Sequence, residues 1–429
     1  MRNQKKRKVS FGTVAVLSVT LLILAVSGFV WIRLSSGKNI DLSEMRPESL
    51  DLQINTGSPE EIPDIPQTGT GTPVPSAAPA TAAPEPEAEG KTFTVTAAGT
   101  VALEGEIRKN SYYSDAKQYD YYDIMMLLKK ELQSDLNIVF LENVLSEEEK
   151  VTDTTASGAG AVMLKTAGFN MAACGFSKAY DKGENGISST RKMLQEYGIR
   201  PVGICENDGT DRVCVAELNG NRVAVLQYTD TVPAATRKKM VKNERNGAVP
   251  EADPESVAAD ISRARELGCG TVIVLMNWGK TGKAPDRNMQ ALAQQIADAG
   301  ADLIIGSGSR IVSGAEILTA AETGRQVLCV WSLGTTLSGD RSNIRKMAGM
   351  LLQITFSLEN GQAEIRKACY IPVYTWKYKQ DSRFYYRCLA ADGEVPDGMD
   401  SEQQKMMKKA AETVRNAMKD TPVEERKNE

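Results

Sequence analysis

Residues 253–276 read DPESVAADISRARELGCGTVIVLM, and residues 288–306 read NMQALAQQIADAGADLIIG. The first stretch opens on Asp253, a good helix N-cap, followed by Pro254, whose fixed φ and missing N–H suit the first helical position. Its helix stops at Gly268, and Thr271 to Met276 then forms an unbroken apolar run of the length of a buried strand. The second stretch repeats the move. A helix over about Asn288 to Ala299 ends at Gly300 and leads straight into a strand over Asp302 to Ile305. Helices feeding fully apolar strands imply a sheet covered by helices.

Working outward, hairpin signals join the helix–strand units. Val213 to Leu218 and Val223 to Tyr228 flank Asn219-Gly220, a two-residue turn pair. Thr92 to Ala97 alternates as a strand, Ser188 or Ser189 is placed to cap a helix that stops at Tyr197-Gly198, and Val327 to Ser332 and Leu351 to Leu358 read as further strands. The expected body is therefore α/β, with sheets that mix parallel and antiparallel pairs. Ligands in such folds sit beyond the carboxyl ends of strands. The loops there hold Thr100, Glu142, Ser177, Lys178, Asn277, Trp278, Ser307, Arg310 and Thr335.

The chain has 429 residues, with 51 Lys and Arg against 55 Asp and Glu. Most of the basic charge of the first ten residues (Arg2, Lys5, Lys6, Arg7, Lys8) lies ahead of a body that is more acidic still. A mildly acidic body argues against a nucleic-acid partner, which needs a basic stripe. There is no histidine at all, which excludes Ser-His-Asp and Cys-His catalysis and any metal site built on imidazole. The seven cysteines show no C-x-x-C pair, and those in apolar strand runs read as small buried hydrophobes.

Phe11 to Ile32 carries no charge. As a helix it would reach about 33 Å, enough to cross a hydrocarbon core of roughly 30 Å. With basic residues before it, the expected arrangement is a cytoplasmic tail (1–10), a transmembrane signal anchor (11–32) and an extracellular body. A cleaved signal peptide is the competing reading. Residues 33–91, rich in Pro, Thr and Ala, read as a disordered linker. The body is expected over 92–378, and 379–429 as a charged, solvated extension.

The segments Val95 to Gly99, Ser134 to Glu142, Asp181 to Ile187, Tyr197 to Gly203, Asn277-Trp278-Gly279, Gly300 to Gly306 and Trp331 to Gly334 resemble, in order and spacing, the capsule-synthesis CapA family, also seen in poly-γ-glutamate synthesis. The resemblance implies a four-layer, metallophosphatase-like α/β/β/α sandwich with mixed sheets. It also implies a metal site, and there this chain departs from the family. The family's Gly-Asp is Gly99-Thr100, and its Asn-Leu-Glu is Phe140-Leu141-Glu142. Its Asn-Asn-His is Phe176-Ser177-Lys178, its His-Trp-Gly is Asn277-Trp278-Gly279, and its Gly-His-His-Pro-His is Gly306 to Arg310. Its Ser-Leu-Gly-Asn is Ser332-Leu333-Gly334-Thr335.

The expectation is a degenerate site that uses no metal or other cofactor, in a membrane-anchored binding or scaffold subunit for envelope-polymer synthesis. Lys178 and Arg310, standing where the family has histidine, are expected either to bind an anionic extracellular polymer or to pair with Glu142, Glu104 or Asp181. Trp278 is expected to pack under its strand end in preference to stacking on a sugar. The rival readings are a working metal-dependent phosphoesterase using Glu142 and Asn277, and a structural partner of a catalytic paralogue.

Overall fold

The computed structural model describes residues 92–148, 151–206, 212–243, 247–359 and 362–426. The expected anchor and linker lie outside these residues. Among the described residues no helix is long and apolar enough to cross a membrane.

Nineteen strands follow in chain order: β1 (Thr92–Val101), β2 (Tyr112–Tyr113), β3 (Gln118–Tyr119), β4 (Leu136–Leu141), β5 (Val144–Ser146), β6 (Thr155–Ser157), β7 (Met171–Ala173), β8 (Arg200–Val202), β9 (Cys214–Leu218), β10 (Asn221–Thr229), β11 (Thr271–Asn277), β12 (Leu303–Ser307), β13 (Ala315–Thr319), β14 (Gln326–Val330), β15 (Thr335–Leu337), β16 (Ala348–Glu359), β17 (Gln362–Gln380), β18 (Arg383–Ala390) and β19 (Glu424–Glu425). A nine-stranded sheet runs β18-β17-β16-β1-β4-β7-β8, with β15 beside β1 and β19 beside β17. A six-stranded sheet runs β13-β14-β12-β11-β10-β9. Both are mixed. Strands β1, β4, β7 and β8 are parallel, as are β10, β11, β12 and β14, while hairpin partners close the edges antiparallel.

The alternation of side chains along each strand sorts the core into three layers. Ile273, Leu275, Leu303 and Ile305 from one sheet meet Phe93, Val95, Ile138 and Phe140 from the other in a shared inner core. Val272, Val274 and Met276 point the opposite way, onto Val257, Ile261, Met289 and Ala293 of the helices Pro254–Glu266 and Arg287–Asp298. On the far side, Ala98, Val139 and Leu141 meet the helices Ala159–Ala167 and Gly183–Glu196. The result is an α/β/β/α order. It explains why residues 272–276 (VIVLM) are apolar at every position: both faces of the strand are covered.

Local signals act as chemistry dictates. Asn219 and Gly220 have φ of 50° and 78°, the left-handed pair that a tight hairpin requires. Asp253 accepts from the Ser256 N–H at 3.0 Å, capping its helix. Asp302 fixes the amino end of β12, with its carboxylate 2.7 Å from Arg265 and 2.6 Å from Arg325. Burial holds that carboxyl above its usual range against the pull of both arginines. The seven cysteines are free thiols.

Two expectations differ, and one helix was not anticipated. The helix expected to begin at Ser188 or Ser189 begins at Gly183, and the Ser189 hydroxyl, inside it, donates to the Leu145 carbonyl at 2.5 Å. A basic helix, Ala234–Lys242, occupies a stretch whose sequence gives no strong period. The chain after residue 378 is not a solvated extension. β17 runs to Gln380, β18 pairs with it, and the helix Ser401–Met418 sends Met407, Ala410, Ala411, Val414 and Met418 into the inner core. Its many charges lie on the outer face, which is what composition alone registers.

That packing fixes a test. Met407→Ala should lower unfolding stability by about 2–4 kcal/mol in urea titrations, as for a buried large-to-small change. A change near zero would mean that this helix is solvated after all.

Candidate functional site

The parallel strands β1, β4, β11 and β12 end side by side, and their last residues carry the polar groups. Gly99 lets β1 approach the next segment closely. A Cβ there would fall on the Gly334 carbonyl, which instead accepts from the Thr100 N–H at 3.0 Å. The strand shifts register at this point, turning Thr100 inward opposite Phe140. The Thr100 hydroxyl lies 3.2 Å from Glu142 Oε1 and 3.0 Å from Ser307 Oγ. Asn277, at the end of β11, donates its side-chain N–H to the same Glu142 oxygen at 3.2 Å.

The other Glu142 oxygen is held by Arg310. Its Nε and Nη2 both donate to Glu142 Oε2, at 3.0 and 2.7 Å. Nη1 turns to Glu104 Oε1 at 2.5 Å, and that oxygen also accepts from Ser338 Oγ at 2.7 Å. Burial disfavours the guanidinium, but Glu142 and Glu104 overcome that and hold its pKa above the ordinary value. Arg310 has φ of 58°, a left-handed conformation that costs a non-glycine residue about 1–2 kcal/mol. Thr335 Oγ1 secures the bend by donating to the Arg310 carbonyl at 2.9 Å. Thr100, Glu142, Asn277, Ser307, Arg310 and Thr335 thus form one connected network.

The remaining candidates stand apart. Trp278 is fully buried, donates its indole N–H to the Trp331 carbonyl at 2.8 Å, and packs against the Trp331 ring. It is a packing residue, and Gly306 exists for it, since a Cβ there would strike both Trp331 O and Trp278 Nε1. Ser177 is half-buried and Lys178 exposed, and no bond among the described residues ties either to the network. Lys178 and Arg310 therefore do not make a joint cationic pocket, because Arg310 is already consumed by two carboxylates. Two participants were not singled out from the sequence. Ser338 is 234 positions from Glu104 and carries no local signal. Asp230, accepting from the Gly279 N–H at 2.8 Å, follows β10 just as the recognised candidates follow their strands, and that position was its signal.

A pair of metal ions would need several free carboxylate or imidazole donors. Here Glu142 spends both oxygens on Thr100, Asn277 and Arg310, and a fixed cation stands against it. Among the described residues no three His, Cys, Asp or Glu side chains gather in a metal-binding group. These residues do not fit the metal centre that the fold resemblance implies.

Residues 94–340, which include every member of the network, match the family described as bacterial capsule synthesis protein PGA_cap. The chain belongs to that family. Among relatives of this capsule-synthesis family, the capsule biosynthesis protein CapA of Bacillus anthracis is 28% identical over 176 residues, 40% of either chain. The PGA biosynthesis protein CapA of Bacillus subtilis (strain 168) is 27% identical over 158 residues, 36% of this chain and 40% of that one. Each match spans well under half of the relative. A solved structure of the calcineurin-like phosphoesterase YfkN from Bacillus subtilis aligns at 13% identity with a TM-score of 0.39, covering 76% of this chain and 99% of that one. At that overlap, the four-layer order rests on the strand pairings given above.

The network makes a stability prediction. Arg310→Met leaves two partly buried carboxylates without their cation and should cost about 2–4 kcal/mol. Adding Glu142→Gln should restore part of that loss, with the coupling read from a double-mutant cycle in urea. Additive losses would show that the pair is not a unit.

Proposed function

We propose that this member of the capsule-synthesis family works without hydrolytic chemistry, as a binding or scaffold subunit in making a capsule, poly-γ-glutamate or related envelope polymer. Phe11 to Ile32 would hold it in the cell membrane, with residues 92–426 outside. The observation that carries this reading is the bidentate Arg310–Glu142 contact. It sets a permanent cation against the carboxylate that a catalytic metal would require. The family match supports the polymer pathway, and the names of the two CapA relatives point to the same class of product. The absence of any histidine removes the common general acid–base and the common metal ligand together.

The test is metal content and turnover of the full chain, purified in detergent after growth with manganese, zinc and iron. The expected result is metal far below one ion per chain, and no phosphoester hydrolysis that depends on added metal. Near-stoichiometric metal that survives dialysis, with turnover lost to a chelator, would overturn the proposal in favour of a working phosphoesterase.

A further inference from the structure

The floor of the site locks its one cation, Arg310, between two carboxylates, whereas the rim carries lysines that are not locked. The loop after β7 presents Lys178, the helix after β10 presents Lys238, Lys239 and Lys242, and the loop after β11 presents Lys280 and Lys283, all exposed. None of the six has a carboxylate partner among the described residues. The carboxylates nearby are engaged elsewhere. Asp230 accepts from the Gly279 N–H, Glu251 is taken by Arg237, and Asp286 caps its helix by accepting from Asn288 and Met289. Among the described residues of these loops, Asp181, Asp230 and Asp286 keep their negative charges, since bonds from backbone N–H groups do not cancel them, and the six lysines remain in excess.

These loops form one surface. Val232, just before the basic helix, and Met240, on its buried side, share a core with Phe176, Ala179 and Tyr180 of the Lys178 loop. Asn243, directly after Lys242, donates to Tyr180 Oη at 3.3 Å. On the other side, the Gly279–Asp230 bond joins the approach to the helix to the loop bearing Lys280. Stability does not account for the arrangement. Lys238 and Lys242 are four apart on one helix face, where like charges repel by about 0.2–0.5 kcal/mol. Such a concentration in a chain of net charge −4 calls for an external anion.

We infer that this lysine rim docks an extended polyanion whose repeating charge is a carboxylate. Lysine is a hydrated point charge that accepts many geometries, whereas planar, bidentate recognition of a single carboxylate or phosphate favours arginine. A flexible chain of spaced carboxylates suits a band of separate ammonium groups. The inference rests on the polymer part of the proposed function and not on the absence of turnover.

The test uses full chain in detergent and fluorescent polyglutamate as the probe. Lys238→Glu/Lys239→Glu should weaken binding by about tenfold, and added salt should weaken wild-type binding steeply. Lys408→Glu/Lys409→Glu, an equal charge change on the exposed side of the helix Ser401–Met418, should leave affinity within about twofold. Equal losses in the two variants, or none in the first, would overturn the inference. So would tighter binding of polyphosphate than of polyglutamate. Binding of phosphatidylglycerol vesicles through the same lysines, with no polyglutamate binding, would make the rim a lipid surface and overturn it too. Metal-dependent turnover would sink the non-catalytic reading and leave this binding result standing. Loss of the binding result would leave the turnover result standing.

Discussion

A buried charge must be paired, and in this molecule that requirement gathers the ends of four strands. Glu142 follows β4 with its side chain only 10% exposed, where an unpaired carboxylate would cost several kcal/mol. Arg310 answers it from the loop after β12, reaching on to Glu104 beyond β1. Thr335, at the start of β15, holds the Arg310 carbonyl, and Asn277 and Ser307 bring in the ends of β11 and β12. One guanidinium thus ties the nine-stranded sheet to the six-stranded one at the end of the sandwich where a ligand would enter. The same contact that makes the end rigid also closes its floor.

That closure has an electrostatic consequence. Two carboxylates share one guanidinium, so the cluster is negative by one charge and does not attract anions. The arginine at position 310 therefore does not by itself create an anion site. Attraction for anions has to come from side chains whose charge is not cancelled, and those lie at the rim. The two halves of the arrangement are compatible only because Arg310 is held by its neighbours and the rim lysines are not.

The architecture was legible where one residue type permits one solution. Asp253-Pro254 and Asn219-Gly220 acted as their local stereochemistry requires, and the apolar run Thr271 to Met276 could only be a strand covered on both faces. Most of the network was legible as well, because each strand end contributes a polar residue at its carboxyl side. The pairing of Arg310 with Glu142 and Glu104 stood as one of two expected alternatives, and only the structure decides for it; the Ser338 contact was not anticipated. Glu104 is separated from Arg310 by 206 residues and from Ser338 by 234, and no local pattern states that they meet. The helix Ser401–Met418 was misread for a related reason. Its buried stripe of methionine, alanine and valine is narrow, and charge counts weigh its solvated face more heavily.

Lys178 illustrates how two positions can share one end of the molecule without sharing a pocket. Placed beyond β7, it shares an end of the molecule with Arg310, so a common pocket followed naturally from the sequence. Burial separates them. Arg310 lies among carboxylates where its charge is locked to specific oxygens, whereas Lys178 stays in water, where a charge acts at the range of the screening length. A locked charge fixes structure and an unlocked one recruits a partner. In this chain Arg310 at the floor of the site is the locked charge, and Lys178 at its edge is the unlocked one.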